Sequence, residues 1–328
     1  MRNGSTAPAA LLAAALVGFA TLSLAQAPSP IDTSWSIPEV EDLPNDPQSN
    51  LIRRGRDLIV NTYATIGPQA ADPAQRYAGN NLNCRTCHLD EGLKKLGNPL
   101  WGLTALYPRY DAESGRTITL PERVNGCMER SMNGRPMPLD GPEMEAMMAY
   151  LSFISRGLKP GRRLDGYGVG AMAELDRPAD PQRGAPVYRQ QCAQCHGVNG
   201  EGVRKNLTSN DLGYVTPPLW GPDTYNNAAG MNRLITIANF VHDNMPNGTS
   251  YEMPRLSVEN SWDVAAFVVS QERPRKPDLD KDYPNRLEKP VDTPYGPYAD
   301  GFSQEQHTYG PFAPIRAAIA RLKAAQKP

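Results

Sequence analysis

The sequence predicts a mainly α-helical chain of two similar domains in tandem, followed by a proline-rich, irregular C-terminal tail. Three observations predict it. A Cys-x-x-Cys-His motif occurs once in each half, at 84–88 and at 192–196. Around each motif the same order of signals recurs: a glycine-containing helical stretch, the motif, a loop-rich middle and a closing amphipathic helix. Finally, 32 prolines and 28 glycines in 328 residues argue for much irregular backbone between those helices.

The chain begins with Arg2, an apolar run from Ala9 to Leu24, and small residues around Ala25 and Ala27. This is the pattern of a secretory signal peptide over residues 1–25, which predicts export to a bacterial periplasm. The run is short for a transmembrane span, and nothing later is apolar for the roughly 18 residues a span needs. The mature chain is expected to have no membrane span. Removing residues 1–25 takes away one arginine and no acid, so 34 basic against 35 acidic residues becomes 33 against 35. A near-neutral chain without a basic stripe is not expected to bind nucleic acid.

Residues 40–158 form the first predicted domain. Ile52, Gly55, Leu58 and Ile59 lie at helical spacing before Cys84, and the closing helix runs from Gly141 and Pro142 through Met144, Met147, Met148 and Leu151. Residues 159–181 read as a linker. Its Gly166-Tyr167-Gly168-Val169-Gly170 run precedes no strand-helix unit and carries no following acid, so a phosphate cradle is rejected. In the second domain, 182–272, Gly184, Val187 and Tyr188 precede Cys192. Its closing helix starts with Ser257 as cap and continues through Val264, Ala265, Phe267 and Val268. In the tail, 273–328, prolines disfavour regular structure, while Tyr283, Tyr295, Tyr298 and Tyr309 suggest packing onto the domains.

The motif spacing carries chemistry. Two thiols three positions apart can add across the two vinyl groups of one porphyrin, and the adjacent histidine is then held beneath the iron. Cys84, Cys87, Cys192 and Cys195 are thus expected to attach two haem c groups, with His88 and His196 as proximal ligands. A zinc site would need four ligands closing one tetrahedron, and a redox Cys-x-x-Cys pair would not need the histidines. A terminal helix crossing another beside such a motif resembles the class I cytochrome c fold, and both halves fit it.

Each iron has a second axial position. For the second haem, Met245 before Pro246 stands in the loop where class I cytochromes place a methionine; Met253 is the rival, with little chain between it and the closing helix. For the first haem, Met137 before Pro138 competes with Cys127, the fifth cysteine, which has no partner left for a disulfide. A thiolate there would lower the potential and leave a nucleophilic sulfur beside a redox centre. Arg109, Arg116, Arg123, Arg130 and Arg135 surround it in sequence and suit an oxyanion, yet the interleaved Asp111, Glu113, Glu122 and Glu129 fit a solvated, self-paired face equally well.

Several segments together resemble the dihaem thiosulfate dehydrogenases, across nearly all of the mature chain. They are Asn81 to Leu89, the 121–127 stretch ending in Asn-Gly-Cys with Arg130 to Pro136 after it, Cys192 to Gly197, Asn244-Met245-Pro246, and Pro294 to Asp300. The resemblance implies His88 and Cys127 as ligands of the first haem, with the active site there, and Arg123 and Ser131 flanking the cysteine. An upstream arginine is also implied, for which Arg109 is preferred over Arg116. It implies that the second haem relays electrons with Met245 as distal ligand; Asn244 stands where some members carry a ligating lysine. The reaction implied joins two thiosulfates into tetrathionate, runs in either direction, and exchanges two electrons with a small c-type cytochrome or similar acceptor. Competing expectations are a plain electron-transfer cytochrome with Met137 on the first iron, and a relative of the dihaem subunit that conjugates thiosulfate to a carrier protein. A dihaem peroxidase finds no supporting loop or calcium-ligand pattern.

Overall fold

The computed structural model describes residues 1, 39–158, 165–206 and 211–326. The predicted signal peptide and the first part of the linker lie outside the described residues.

The first domain opens with α1 (Pro47–Val60). Asp46 caps it by accepting from the Ser49 backbone N–H at 3.0 Å, and its buried stripe is Ile52, Gly55, Leu58 and Ile59. A short turn, α2 (Thr62–Thr65), leads towards the first motif, which winds as a 3-10 turn over Cys84–Thr86 and continues into α3 (Leu89–Gly92). A small hairpin follows, β1 (Arg109–Asp111) antiparallel to β2 (Arg116–Ile118), with Arg109 opposite Ile118. Helix α4 (Leu120–Arg130) starts in a capping box: Thr119 Oγ1 accepts from the Glu122 N–H, and Glu122 accepts from the Thr119 N–H. The closing helix is α5 (Pro142–Ile154).

The second domain repeats the plan. It contains α6 (Pro181–Gln191), α7 (Ala193–His196) over the second motif, strands β3 (Val203–Arg204) and β4 (Tyr214–Thr216), α8 (Leu234–Asn244) and the closing α9 (Val258–Val269). In each domain the first and last helices cross at a glycine. A Cβ on Gly55 would lie 1.9 Å from the Ala146 carbonyl oxygen, and one on Gly184 would lie 1.9 Å from that of Asp263. Only hydrogen fits at either crossing, so the backbones touch there. Each domain has its own core, around Trp101, Tyr150 and Ile154 in the first and Tyr188, Leu234, Trp262 and Val264 in the second.

The two halves interlock. Asn81, three residues before Cys84, donates from its backbone N and side-chain Nδ2 to the Asp223 carboxylate, and Asn80 Nδ2 donates to the Thr224 carbonyl at 3.1 Å. From the second domain, Asn226 reaches the end of α4. Its backbone N–H donates to the Arg130 carbonyl at 3.1 Å and its Nδ2 to the Glu129 carbonyl at 2.8 Å, satisfying two carbonyls that no intrahelical partner can reach.

The tail departs from the irregular course expected of it. Up to Phe302 it holds only 3-10 turns, but it ends in α10 (Gln304–Tyr309) and α11 (Ala313–Ala325). The reason is local composition: Pro314 sits in the first turn of α11, where a missing N–H costs nothing, and an alanine-rich run follows. Of the tail tyrosines, Tyr283 and Tyr295 are buried and Tyr298 and Tyr309 half-buried. Lys289 Nζ lies 5.6, 4.6 and 5.1 Å from the ring centres of Tyr283, Tyr295 and Tyr298. Burial, aided by nearby Arg286, pulls this ammonium down to about 8. An unfolded lysine titrates near 10.4, so between about pH 8 and pH 10 the unfolded chain holds the extra proton and stability rises with pH. Denaturation midpoints across that window should climb in the native protein, and Lys289→Met should flatten the climb.

Candidate active site and redox centres

Both motif histidines are oriented by backbone. His88 Nδ1 lies 2.5 Å from the Asn98 carbonyl oxygen, and His196 Nδ1 lies 2.8 Å from that of Pro217. A carbonyl only accepts, so Nδ1 carries the hydrogen in each and Nε2 is left with its lone pair free for a metal. Burial pulls His88 down to about 4 and His196 in the same direction, which keeps both imidazoles neutral. Burial also pushes the Cys84 thiol up to about 11, Cys87 to about 12 and Cys192 to about 11. Two neutral imidazoles, each beside a pair of unpaired thiols, fit covalently attached haem.

Helix α4 brings the first site together. Arg123, Cys127 and Ser131 stand at i, i+4 and i+8, so one stripe of the helix, extended to its C-cap, carries all three. Cys127 shares the pocket of the first motif: a charge on its sulfur acts on both Cys84 and Cys87. It is half-buried and in no disulfide. The same sulfur is the main reason the Arg123 guanidinium is pushed above its ordinary range. Tyr107 completes the wall; burial raises its hydroxyl, with Arg123, Arg109 and Cys127 all acting on it. Arg109 lies over the Tyr107 ring, 4.9 Å from its centre.

The arginine-rich stretch thus divides. Arg116 pairs with Glu122 at 2.7 Å on the surface. Arg130 is held by Glu113 at 3.2 Å and by Asp282 of the tail at 2.9 Å, and Arg135 lies over Tyr77. Only Arg109 and Arg123 of the five stand with Cys127 around Tyr107. Of the two upstream arginines, Arg109 lies against Tyr107 and Arg116 pairs with Glu122. The methionines divide as well. Met137 is buried in a cluster with Met128, Met144 and Met147, and the Asn125 side chain bonds its backbone N and O at 2.8 Å each. Met253 is 76 % exposed, whereas Met245 is half-buried at the C-cap of α8.

Sequence reasoning missed Tyr107 and the two carbonyls that orient the histidines. A tyrosine in a loop far from any motif gives no signal, and a main-chain acceptor has no side-chain identity to read.

The SoxA/TsdA cytochrome c domain family matches residues 74–159, and the cytochrome c family matches residues 181–272. The chain is therefore a dihaem c-type cytochrome, two cytochrome c domains in tandem, each with a covalently attached haem c. A thiosulfate dehydrogenase of Stutzerimonas stutzeri is 37 % identical over 242 residues, 74 % of each chain. A thiosulfate dehydrogenase of Allochromatium vinosum is 37 % identical over 255 residues, 76 % of this chain and 88 % of the other. The solved thiosulfate dehydrogenase TsdBA of Marichromatium purpuratum superposes with a TM-score of 0.66 at 32 % identity, covering 74 % of this chain and 50 % of that longer one. The chain belongs to the thiosulfate dehydrogenase family and is an oxidoreductase. Among the described residues no helix is long and apolar enough to cross a membrane.

Proposed function

We propose that this protein is a periplasmic thiosulfate dehydrogenase that joins two thiosulfates into tetrathionate and passes two electrons to a small c-type cytochrome or similar acceptor. The observation that carries the reading is the α4 stripe of Arg123, Cys127 and Ser131 facing the first motif. The exported location rests on the signal-peptide pattern of residues 1–25.

In this reading Cys84 and Cys87 would attach the first haem, and His88 and Cys127 would be the side chains that hold its iron. Cys192 and Cys195 would attach the second, with His196 and Met245 holding its iron. When bound, the haems supply one-electron acceptors. The difficulty for the protein is electrostatic, since two dianions must meet. Arg123 and Arg109 lower that repulsion and orient the sulfonate oxygens, and the Ser131 hydroxyl adds a donor on the same face. The Cys127 thiolate forms a disulfide bond to the sulfane sulfur of one thiosulfate, and two electrons leave. A second thiosulfate then attacks that sulfane sulfur; the bond to Cys127 breaks, tetrathionate departs and the thiolate returns. No proton is gained or lost. The couple runs backwards when the acceptor's potential lies below that of the substrates, which gives tetrathionate reduction.

The test is to mix haem-loaded protein with thiosulfate and ferricyanide and count tetrathionate per electron accepted. One tetrathionate for every two electrons is expected; no turnover with both haems intact would leave an electron carrier or a relative of the carrier-conjugating subunit. A second expectation concerns Met245. Met245→Gly should remove the methionine-to-iron charge-transfer band of the second haem, lower that haem's potential and slow electron exit, while thiosulfate still reduces the first haem. Persistence of the band would move the ligand to another residue.

A further inference from the structure

Between the two redox centres lies a tripeptide, Leu96-Gly97-Asn98, that is held from three directions. Its Asn98 carbonyl takes the hydrogen of His88 Nδ1. Leu96 and Asn98 both have positive φ, 55° and 58°, a left-handed conformation that costs free energy in residues with a side chain. Such residues persist where their surroundings over-determine them. Here the linker glycines do part of this: the Leu96 N–H donates to the Gly166 carbonyl at 2.7 Å and the Asn98 N–H to that of Gly168 at 3.0 Å. The third hold comes from the second domain. Asn244 Nδ2 donates to the Leu96 carbonyl at 3.0 Å and to the Phe240 carbonyl at 3.1 Å, using both its hydrogens. The two carbonyls fix which way the amide points, because its oxygen could not take either place. Asn244 is 1 % exposed and directly precedes Met245.

We propose that Asn244 is a positioning residue that couples the two haem centres. It fixes the distal loop of the second against the peptide that orients the proximal histidine of the first. The inference rests on His88 and Met245 being the axial ligands proposed above. The physical link is the His88 hydrogen bond. A carbonyl held on Nδ1–H makes Nε2 more basic, which favours ferric iron and lowers the potential. Releasing Leu96 lets the strained tripeptide relax and moves the Asn98 carbonyl off the imidazole. The first haem's potential then rises although its own ligands are unchanged. By the same bridge, a displacement of the Met245 loop is felt at His88, so the state of one centre biases the other.

The experiment is a redox titration of both haems, with electron paramagnetic resonance of the ferric protein, in the native holoprotein, Asn244→Leu and Asn244→Gln. Leucine keeps the volume and loses the donor; glutamine keeps the donor. The expected result is an upward shift of the first haem's potential and altered g-values of its ferric iron in Asn244→Leu, with Asn244→Gln closer to native. A first haem at native potential and g-values in Asn244→Leu overturns the proposal, since Asn244 then acts only on its own domain. Equal shifts in both variants also overturn it, because packing and not the hydrogen bond would be responsible. If the leucine variant does not fold, Asn244→Ser, too short to reach Leu96, takes its place. Failure of the ligand reading shows separately: the methionine band would survive Met245→Gly, whatever the Asn244 variants do.

Discussion

Cys127→Gly is expected to retain both covalently attached haems and lose thiosulfate turnover by more than about a thousandfold, the scale seen when a nucleophile is removed. The argument is one of separation. Attachment uses Cys84, Cys87, Cys192 and Cys195, none of which depends on α4 for its bond. Turnover uses the sulfur on α4, and nothing else on its stripe can form a bond to sulfur, since Arg123 binds charge and Ser131 lacks a base beside it among the described contacts. Glycine in the last turn but one costs about 1 kcal/mol of helix stability, which a helix fixed at both ends by its capping box and Asn226 can absorb. Haem content by pyridine haemochrome and tetrathionate formed per minute, measured on the same sample, decide the matter. Native turnover at full haem content would end the cysteine mechanism.

Asp282→Ala is expected to have the largest effect on stability. Arg130 leaves α4 and is gripped by the Asp282 carboxylate through two parallel hydrogen bonds of 2.9 Å, with Glu113 on its third nitrogen. The Tyr295 hydroxyl donates to the same carboxylate at 2.8 Å. Arg130 and Asp282 are 11 % and 9 % exposed, so water cannot replace the lost partner. Removing one side of such a pair strands a buried charge and costs about 3 kcal/mol or more. In a chain of this size that lowers the melting temperature by several degrees, since each kcal/mol is worth about 2–4 °C. Calorimetry on the haem-loaded variant measures it. A shift of under about 1 °C would mean that Glu113 alone satisfies Arg130.

How much of this was open to reading from the sequence varies with the kind of constraint. The helices around each motif were legible because apolar residues at helical spacing report a buried face, and Gly55 and Gly184 stood inside those patterns. The cysteines and histidines were legible because covalent attachment demands a fixed spacing. The fate of the arginines was not. Arg116, Arg123 and Arg130 share one neighbourhood, and what separates them is which partner each meets: Glu122 and Cys127 are close in sequence, but the competing acids are equally close, and Asp282 comes from the tail. The tail misled for a similar reason. Its prolines are real, but they stop where the alanine-rich run begins. The glycines read as part of a linker are backbone partners of Leu96 and Asn98.

The hold of Asn226 on α4 bears on how such a protein can change over generations. A repeated domain is ordinarily a spare part, free to be lost, exchanged or fused to something new. Here the helix that bears Cys127 ends on carbonyls belonging to one half and capped by the other. Neither half is a spare part any longer. A recombination that kept the first half alone would inherit the reactive cysteine on a frayed helix, so the two halves are bound to be passed on together.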